Sequence, residues 1–132
     1  MGLDMYAFSV PANEPVRVPS TDPDYEFERN PSAEEIMYWR KNNALHGWMA
    51  HLAEDRLGLS AGDFNCKYLQ LTEEDLKNLA SAIKKGKLKP TEGFFFGSLV
   101  YSKEAKKEDL EFVETALGLI ESGKDIYYWS WW

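Results

Sequence analysis

The stretch that most limits the possible folds runs from Ala33 to Glu54, AEEIMYWRKNNALHGWMAHLAE. Its apolar residues recur at roughly 100° per residue, the period of an α-helix. The spacing predicts one helix over 33–54, opened by Ser32 as N-cap, with Glu35 completing a capping box. On a helical wheel Met37, Tyr38, Ala44, Leu45, Trp48, Met49 and Leu52 gather on one broad side. Trp39, Asn43, His46 and Ala50 form a stripe on the other, with Arg40 and Gly47 beside it. A solvated face would carry Lys and Glu in those places. Both sides of the segment are therefore expected to be covered, and the second is the best lead to a site.

The flanking segments supply the other elements. Leu3 to Val10 alternates in the manner of a strand. Five of the six prolines fall between Pro11 and Pro31, among many acids. Proline lacks a backbone donor and fixes φ, which excludes regular helix and central strand there. A long loop over 11–31 is expected, with a short extended piece at Val16–Val18 and with Tyr25 and Phe27 as anchors. Phe64 to Leu71 predicts a strand, and Thr72 caps a helix bearing Leu76, Leu79, Ala80 and Ile83 and stopped by Gly86. GFFFGS at Gly93–Ser98, running on into Leu99–Tyr101, predicts a Phe-rich strand. Ser102 caps a third helix with apolar positions Leu110, Val113, Leu117 and Ile120, and Gly123 stops it. The closing DIYYWSWW is a strand by propensity. Together these predict a single α+β domain over 1–132, a small mixed or antiparallel sheet packed with about three helices.

Composition narrows the function classes. A chain of 132 residues can bury roughly 65–70% of its extended surface without metals or disulfides. Fifteen basic against twenty-two acidic residues give a net charge of −7, which disfavours direct nucleic-acid binding. Such a surface suits a soluble protein or one that docks on a basic partner. Cys66 is the only cysteine, so an intrachain disulfide or Cys-based zinc site is excluded and a reducing, cytoplasmic setting is expected. No apolar run approaches the ~18 residues that span a bilayer, so no membrane partner is expected.

Few residues point to chemistry. His46 and His51 are five positions apart and miss the i, i+4 geometry of a helical metal site, so neither metal nor cofactor is expected. Asn43 is a poor mid-helix residue, because its amide competes for the backbone, and beside Trp39 and His46 it suggests a buried polar network or a ligand site. Arg40 can pair with one of the many acids or hold a carboxylate or phosphate. Phe94, Phe95 and Phe96 alternate between core and the opposite face, and no phosphate-binding glycine loop or nucleophile elbow is present. Tyr127, Tyr128, Trp129, Trp131 and Trp132 cannot all be buried on one face of a strand, so some cover helices, fill a pocket or form a binding surface.

The opening MGLDMY, the YWRKNNALHGW at Tyr38–Trp48, the NCKY at Asn65–Tyr68, GFFFGS and the YYWSW ending together resemble an uncharacterised family of small phage and prophage proteins. The family's central stretch reads YWRKxNAxHxW, and Tyr38, Trp39, Arg40, Lys41, Asn43, Ala44, His46 and Trp48 fit it. The resemblance implies a phage context, with action in the host cytoplasm, and no particular reaction. Two expectations follow. One is a non-enzymatic accessory protein that binds a host protein, one with a basic nucleic-acid-binding surface, and inhibits a host defence system in the manner of an anti-CRISPR. The other is a small-ligand protein or modest hydrolase with a pocket around Trp39, Arg40, Asn43 and His46. The candidate binding residues are Trp39, Arg40, Asn43, His46, Phe95, Tyr128, Trp129 and Trp131.

Overall fold

The computed structural model describes residues 2–88 and 101–132. The GFFFGS segment, Phe95 included, and the expected Phe-rich strand as far as residue 100 lie outside the described residues; Tyr101, its expected last residue, is not in a strand. The chain forms one small α+β domain. Strand β1 (Asp4–Pro11) is followed by a short hairpin, β2 (Arg17–Pro19) and β3 (Phe27–Arg29), then by β4 (Glu34–Arg40) and helix α1 (Asn43–Leu57). After these come β5 (Leu69–Leu71), α2 (Glu73–Lys84), α3 (Lys103–Glu121) and β6 (Lys124–Trp131). The main sheet has the order β4-β1-β6-β5, and every pairing described in it is antiparallel.

The helix expected over 33–54 is two elements. Residues 34–40 pair with β1, Met5 facing Trp39 and Tyr6 facing Tyr38. Met37 and Trp39 thus lie on one face, Tyr38 and Arg40 on the other. An Ile-Met-Tyr-Trp run fits the strand period as well as the helical one, and pairing with β1 decides it. Lys41 then takes a left-handed φ of 57°, which ends the strand. The cap of α1 is Asn42, whose side chain accepts from the Leu45 N–H, in place of the expected Ser32–Glu35 box.

The expected strand over 64–71 shrinks to β5. Residues 61–66 form turns, Cys66 has a φ of 63°, and Asn65 bonds the backbone of Trp132 through both ends of its amide. Phe64 still reaches the core. The loop over 11–31 contains the β2–β3 hairpin. Its expected anchors fail, since Tyr25 is 68% and Phe27 46% exposed. Buried Val16 and Asn30 hold it instead: Asn30 donates through its backbone to Val16 O at 2.8 Å and through its side chain to Pro15 O at 2.9 Å.

Helices α2 and α3 follow local signals. Thr72 and Asp75 form a reciprocal capping box, and Ser102 caps α3. Gly86 and Gly123 lie beyond the two helix ends with φ of 67° and 97°, where a Cβ would be strained. In α3 the fully buried positions are Asp109, Phe112, Val113 and Ala116, a stripe rotated from the one expected; Leu110, Leu117 and Ile120 are only partly covered.

Because paired antiparallel residues share a face, the sheet has two unlike sides. Met5, Ala7, Trp39, Leu69, Leu71, Ile126 and Tyr128 join residues of all three helices in one hydrophobic cluster. Tyr6, Phe8, Tyr38, Tyr127, Trp129 and Trp131 lie on the other side.

Candidate functional site

On the helix-covered side, polar side chains converge around two buried groups. The first is His46, fully buried on α1. Its Nδ1 shares a 2.7 Å hydrogen bond with the Tyr128 hydroxyl. Phe64 stacks on its ring at 5.6 Å and Trp132 meets it edge-on at 5.1 Å. Burial pushes the imidazole down to about 4, so it is neutral at pH 7, and burial likewise pushes the Tyr128 phenol well up.

The second is the fully buried carboxylate of Asp109 on α3. Trp39 Nε1 donates to it at 2.9 Å and Asn42 Nδ2 at 3.1 Å, and the Tyr101 hydroxyl donates to Oδ2. No ion pair to Asp109 is found among the described residues. Desolvation raises its pKa, opposed by the bonds from Tyr101, Asn42 and Trp39. Three neutral donors thus tie β4, the cap of α1 and the start of α3 to one acid.

Beside this cluster, at the N-terminal ends of α1 and α3, a cleft of about 390 Å³ is lined in part by Trp39, Arg40, Lys41, Asn43, Tyr101 and Glu108. It brings together three of the four residues of the expected pocket. His46 is not among its lining residues. Asn43 is 3% exposed, and its Oδ1 finds no hydrogen-bond partner among the described residues. Among those residues no cluster of His, Cys, Asp and Glu is arranged to hold a metal.

The open side of the sheet carries a connected aromatic surface. Ring centroids of Tyr6 lie 5.0 Å from Tyr38, 5.8 Å from Trp129 and 6.0 Å from Phe8. Tyr68 extends it at 6.1 Å from Trp129 and 6.4 Å from Tyr127. Tyr38 is 45% and Trp131 49% exposed, and Tyr6, Tyr68, Tyr127 and Trp129 are half-buried. The Tyr38 hydroxyl donates to Asp4 Oδ1 at 2.6 Å, which raises its pKa. Arg29, from the hairpin, lays its guanidinium over Phe8 at 3.9 Å and donates through Nε to the Tyr68 hydroxyl at 3.0 Å.

The eight expected binding residues therefore scatter. Trp39, His46 and Tyr128 are core residues around one ring, Tyr128, whose centroid is 6.4 Å from Trp39 and 6.0 Å from His46. Arg40 and Asn43 border the cleft, Trp129 and Trp131 lie on the open face, and Phe95 is outside the described residues. Sequence reasoning missed Asp109, Asn42, Tyr101, Tyr6, Tyr38 and Arg29. Asp109 had a signal: an acid at the head of a helical stripe continued by Phe112, Val113 and Ala116. Tyr6 and Tyr38 had none without the register. Comparison of the chain with protein families, curated proteins and solved structures returns no match.

Proposed function

We propose that this chain is a binding protein that docks a partner protein on the open aromatic face of its sheet. The observation that supports it is the connected patch of Tyr6, Tyr38, Trp129, Tyr68 and Tyr127, extended by exposed Trp131. Tyr and Trp are enriched at the energetic centres of interfaces, because they bury much apolar area while keeping a polar tip. Exposed aromatic surface of the kind that Tyr38 and Trp131 present is costly in water unless a partner covers it. The net charge of −7 favours a basic partner surface. The phage resemblance extends the reading to a host partner in the host cytoplasm and to inhibition of a defence system, and that extension rests on the resemblance alone.

Capture from host lysate on the immobilised chain, with mass spectrometry, tests the reading. Wild type is expected to retain a protein that the Tyr38→Ala/Trp131→Ala double variant loses, with both variants melting alike. Association with the purified partner is expected to slow markedly between low salt and about 0.5 M, where the Debye length falls below ~5 Å. A partner retained equally by the double variant removes the sheet face from the reading.

The second reading is a small-ligand protein or modest hydrolase. Its support is the cleft at the two helix N-termini, bordered by Trp39, Arg40 and Asn43. The burial of His46 away from that cleft counts against a histidine-driven reaction there. Lys41→Ala/Arg40→Ala abolishing retention of a small molecule identified by mass spectrometry of the native protein would favour it.

A further inference from the structure

We propose that the open sheet face recognises the guanidinium group of an arginine-bearing protein segment, seated by Tyr6, Tyr38, Trp129 and the Asp4 carboxylate. The proposal rests on docking at this face and names the chemistry of what docks.

The face already holds one guanidinium, its own. Arg29 lies 3.9 Å above the Phe8 ring and 5.8 Å from Trp129, with the Tyr68 phenol accepting from its Nε. A flat cation over a ring face, bonded at its edge to an oxygen, is the arrangement guanidinium favours. The same elements recur one step along the strand. The Tyr6 ring is nearly parallel to that of Phe8, at 13° between planes and 6.0 Å between centroids, and it too borders Trp129. Tyr38 walls its other side at 5.0 Å, as Tyr68 does for Phe8 at 6.3 Å. At the edge stands the carboxylate of Asp4, a stronger acceptor than the phenol beside Arg29 and suited to two parallel N–H bonds. Tyr38 already orients that carboxylate through its 2.6 Å bond.

No cation fills this second seat from within the described chain. Asp4 makes no ion pair among the described residues, although Arg40 is its register partner on β4. Arg40 turns its guanidinium toward Gly2 instead, Nη2 lying 3.5 Å from where a Cβ on Gly2 would stand. The neighbouring outward positions include Glu35, the register partner of Phe8, and Asp125. Arg40 and Arg29 stand on the same side, and it is the chain's net −7 together with Asp4, free of any ion pair among the described residues, that favours a cation over an anion at this face. A single-stranded nucleic acid would also stack on the rings, but it would bring its phosphates against these acids.

Titration of a fluorescent Arg-Gly-repeat peptide against the full chain, beside its citrulline and lysine counterparts and oligo(U), tests the assignment. The arginine peptide is expected to bind at least tenfold tighter than the citrulline peptide, which keeps the shape and lacks the charge, and tighter than the lysine one. Asp4→Asn and Tyr38→Ala are each expected to weaken it at least fivefold, while Glu54→Gln, on an exposed turn of α1, leaves it unchanged. Circular dichroism melts of the two variants should match wild type, because both side chains are outside the core. Equal binding of the arginine and citrulline peptides overturns the proposal. So does an equal effect of Glu54→Gln and Asp4→Asn, which would reduce the binding to net charge, and so does tighter binding of oligo(U). If arginine is not preferred but Tyr38→Ala/Trp131→Ala still releases the lysate partner, docking at the face stands and the guanidinium assignment alone falls.

Discussion

His46 Nδ1 and the Tyr128 hydroxyl meet at 2.7 Å across 82 residues of sequence, fastening α1 to the centre of the sheet. Both groups are fully buried, so neither has water as an alternative partner. His46→Ala would remove the phenol's imidazole partner, leaving it Ser130, and would remove the ring contacts with Phe64 and Trp132. The expected cost is about 2–4 kcal/mol, from a lost buried hydrogen bond together with lost packing. Urea unfolding followed by tryptophan fluorescence measures it. A loss below about 1 kcal/mol would show that the hydrogen bond carries little.

Asp109 makes a different kind of anchor, because it is a buried acid held by three neutral donors. Asp109→Ala leaves the Trp39 indole, the Asn42 amide and the Tyr101 phenol without their acceptor. The expected destabilisation is about 3–5 kcal/mol, less than the sum of three separate bonds because the donors share one acceptor. Trp39→Phe removes one donor and retains the contact with Phe112 at 4.8 Å, so it should cost only about 1 kcal/mol. The two urea midpoints, compared with wild type, decide whether the cluster acts as a unit.

Asn43 is expected to behave in the opposite sense. Its buried Oδ1 has no partner among the described residues, and alanine is the better helix former. Asn43→Ala should leave stability unchanged or raise it by up to about 1 kcal/mol. A melting temperature clearly below wild type would show that the amide is satisfied by a neighbour after all.

The elements legible in the sequence are those fixed by neighbours in the chain. Thr72 and Ser102 cap their helices through residues three positions on, and Gly86 and Gly123 end them by backbone conformation alone. Strands β1 and β6 were legible because their residues alternate or are strongly β-forming. Residues 34–40 are ambiguous in sequence because Ile36, Met37, Tyr38 and Trp39 satisfy the period of either element, and only pairing with β1 chooses. Asn42 carried the missed local signal, an N-cap residue in the middle of the supposed helix. The site was less legible. Trp39 and Asp109 are 70 residues apart, and the aromatic face exists only once β1, β4 and β6 are in register.

Arg29 gives the Pro-rich hairpin a hold on the body of the protein. Its guanidinium is exposed but covers the buried Phe8 ring, so Arg29→Ala should lower global stability by about 1 kcal/mol through the lost cation–π contact and partial uncovering of that ring. Local opening should be affected far more, because Tyr25 and Phe27 are largely exposed and give the hairpin little hold of their own. Limited proteolysis is expected to cut within residues 12–28 several-fold faster in the variant, with the midpoint of urea unfolding lowered only slightly. Equal cleavage rates would assign the hairpin's hold to Val16 and Asn30 alone.

Stability in acid follows from the same two buried groups, which pull in opposite directions. The imidazole of His46 falls from 6.5 to about 4 on folding, so between those values the unfolded chain binds a proton that the folded chain refuses. Its contribution is complete above pH 6.5 and is lost as the pH falls through about 4, at a slope of up to ~1.4 kcal/mol per unit and on the order of 3 kcal/mol in all. Asp109 is raised by desolvation, so its contribution is present below the unfolded carboxylate value and is lost as the pH rises through its folded pKa. The two slopes oppose each other wherever the titrations overlap. His46→Gln keeps a partner for Tyr128 and cannot titrate, so it should lose less stability than wild type between pH 7 and pH 4. In an Asp109→Asn background the opposing slope disappears, and the histidine loss should steepen toward its full value. Urea midpoints at half-unit steps of pH, for the four combinations of these changes, measure both slopes. Parallel profiles for wild type and His46→Gln in both backgrounds would mean that the imidazole gains its proton as readily in the folded chain as in the unfolded one.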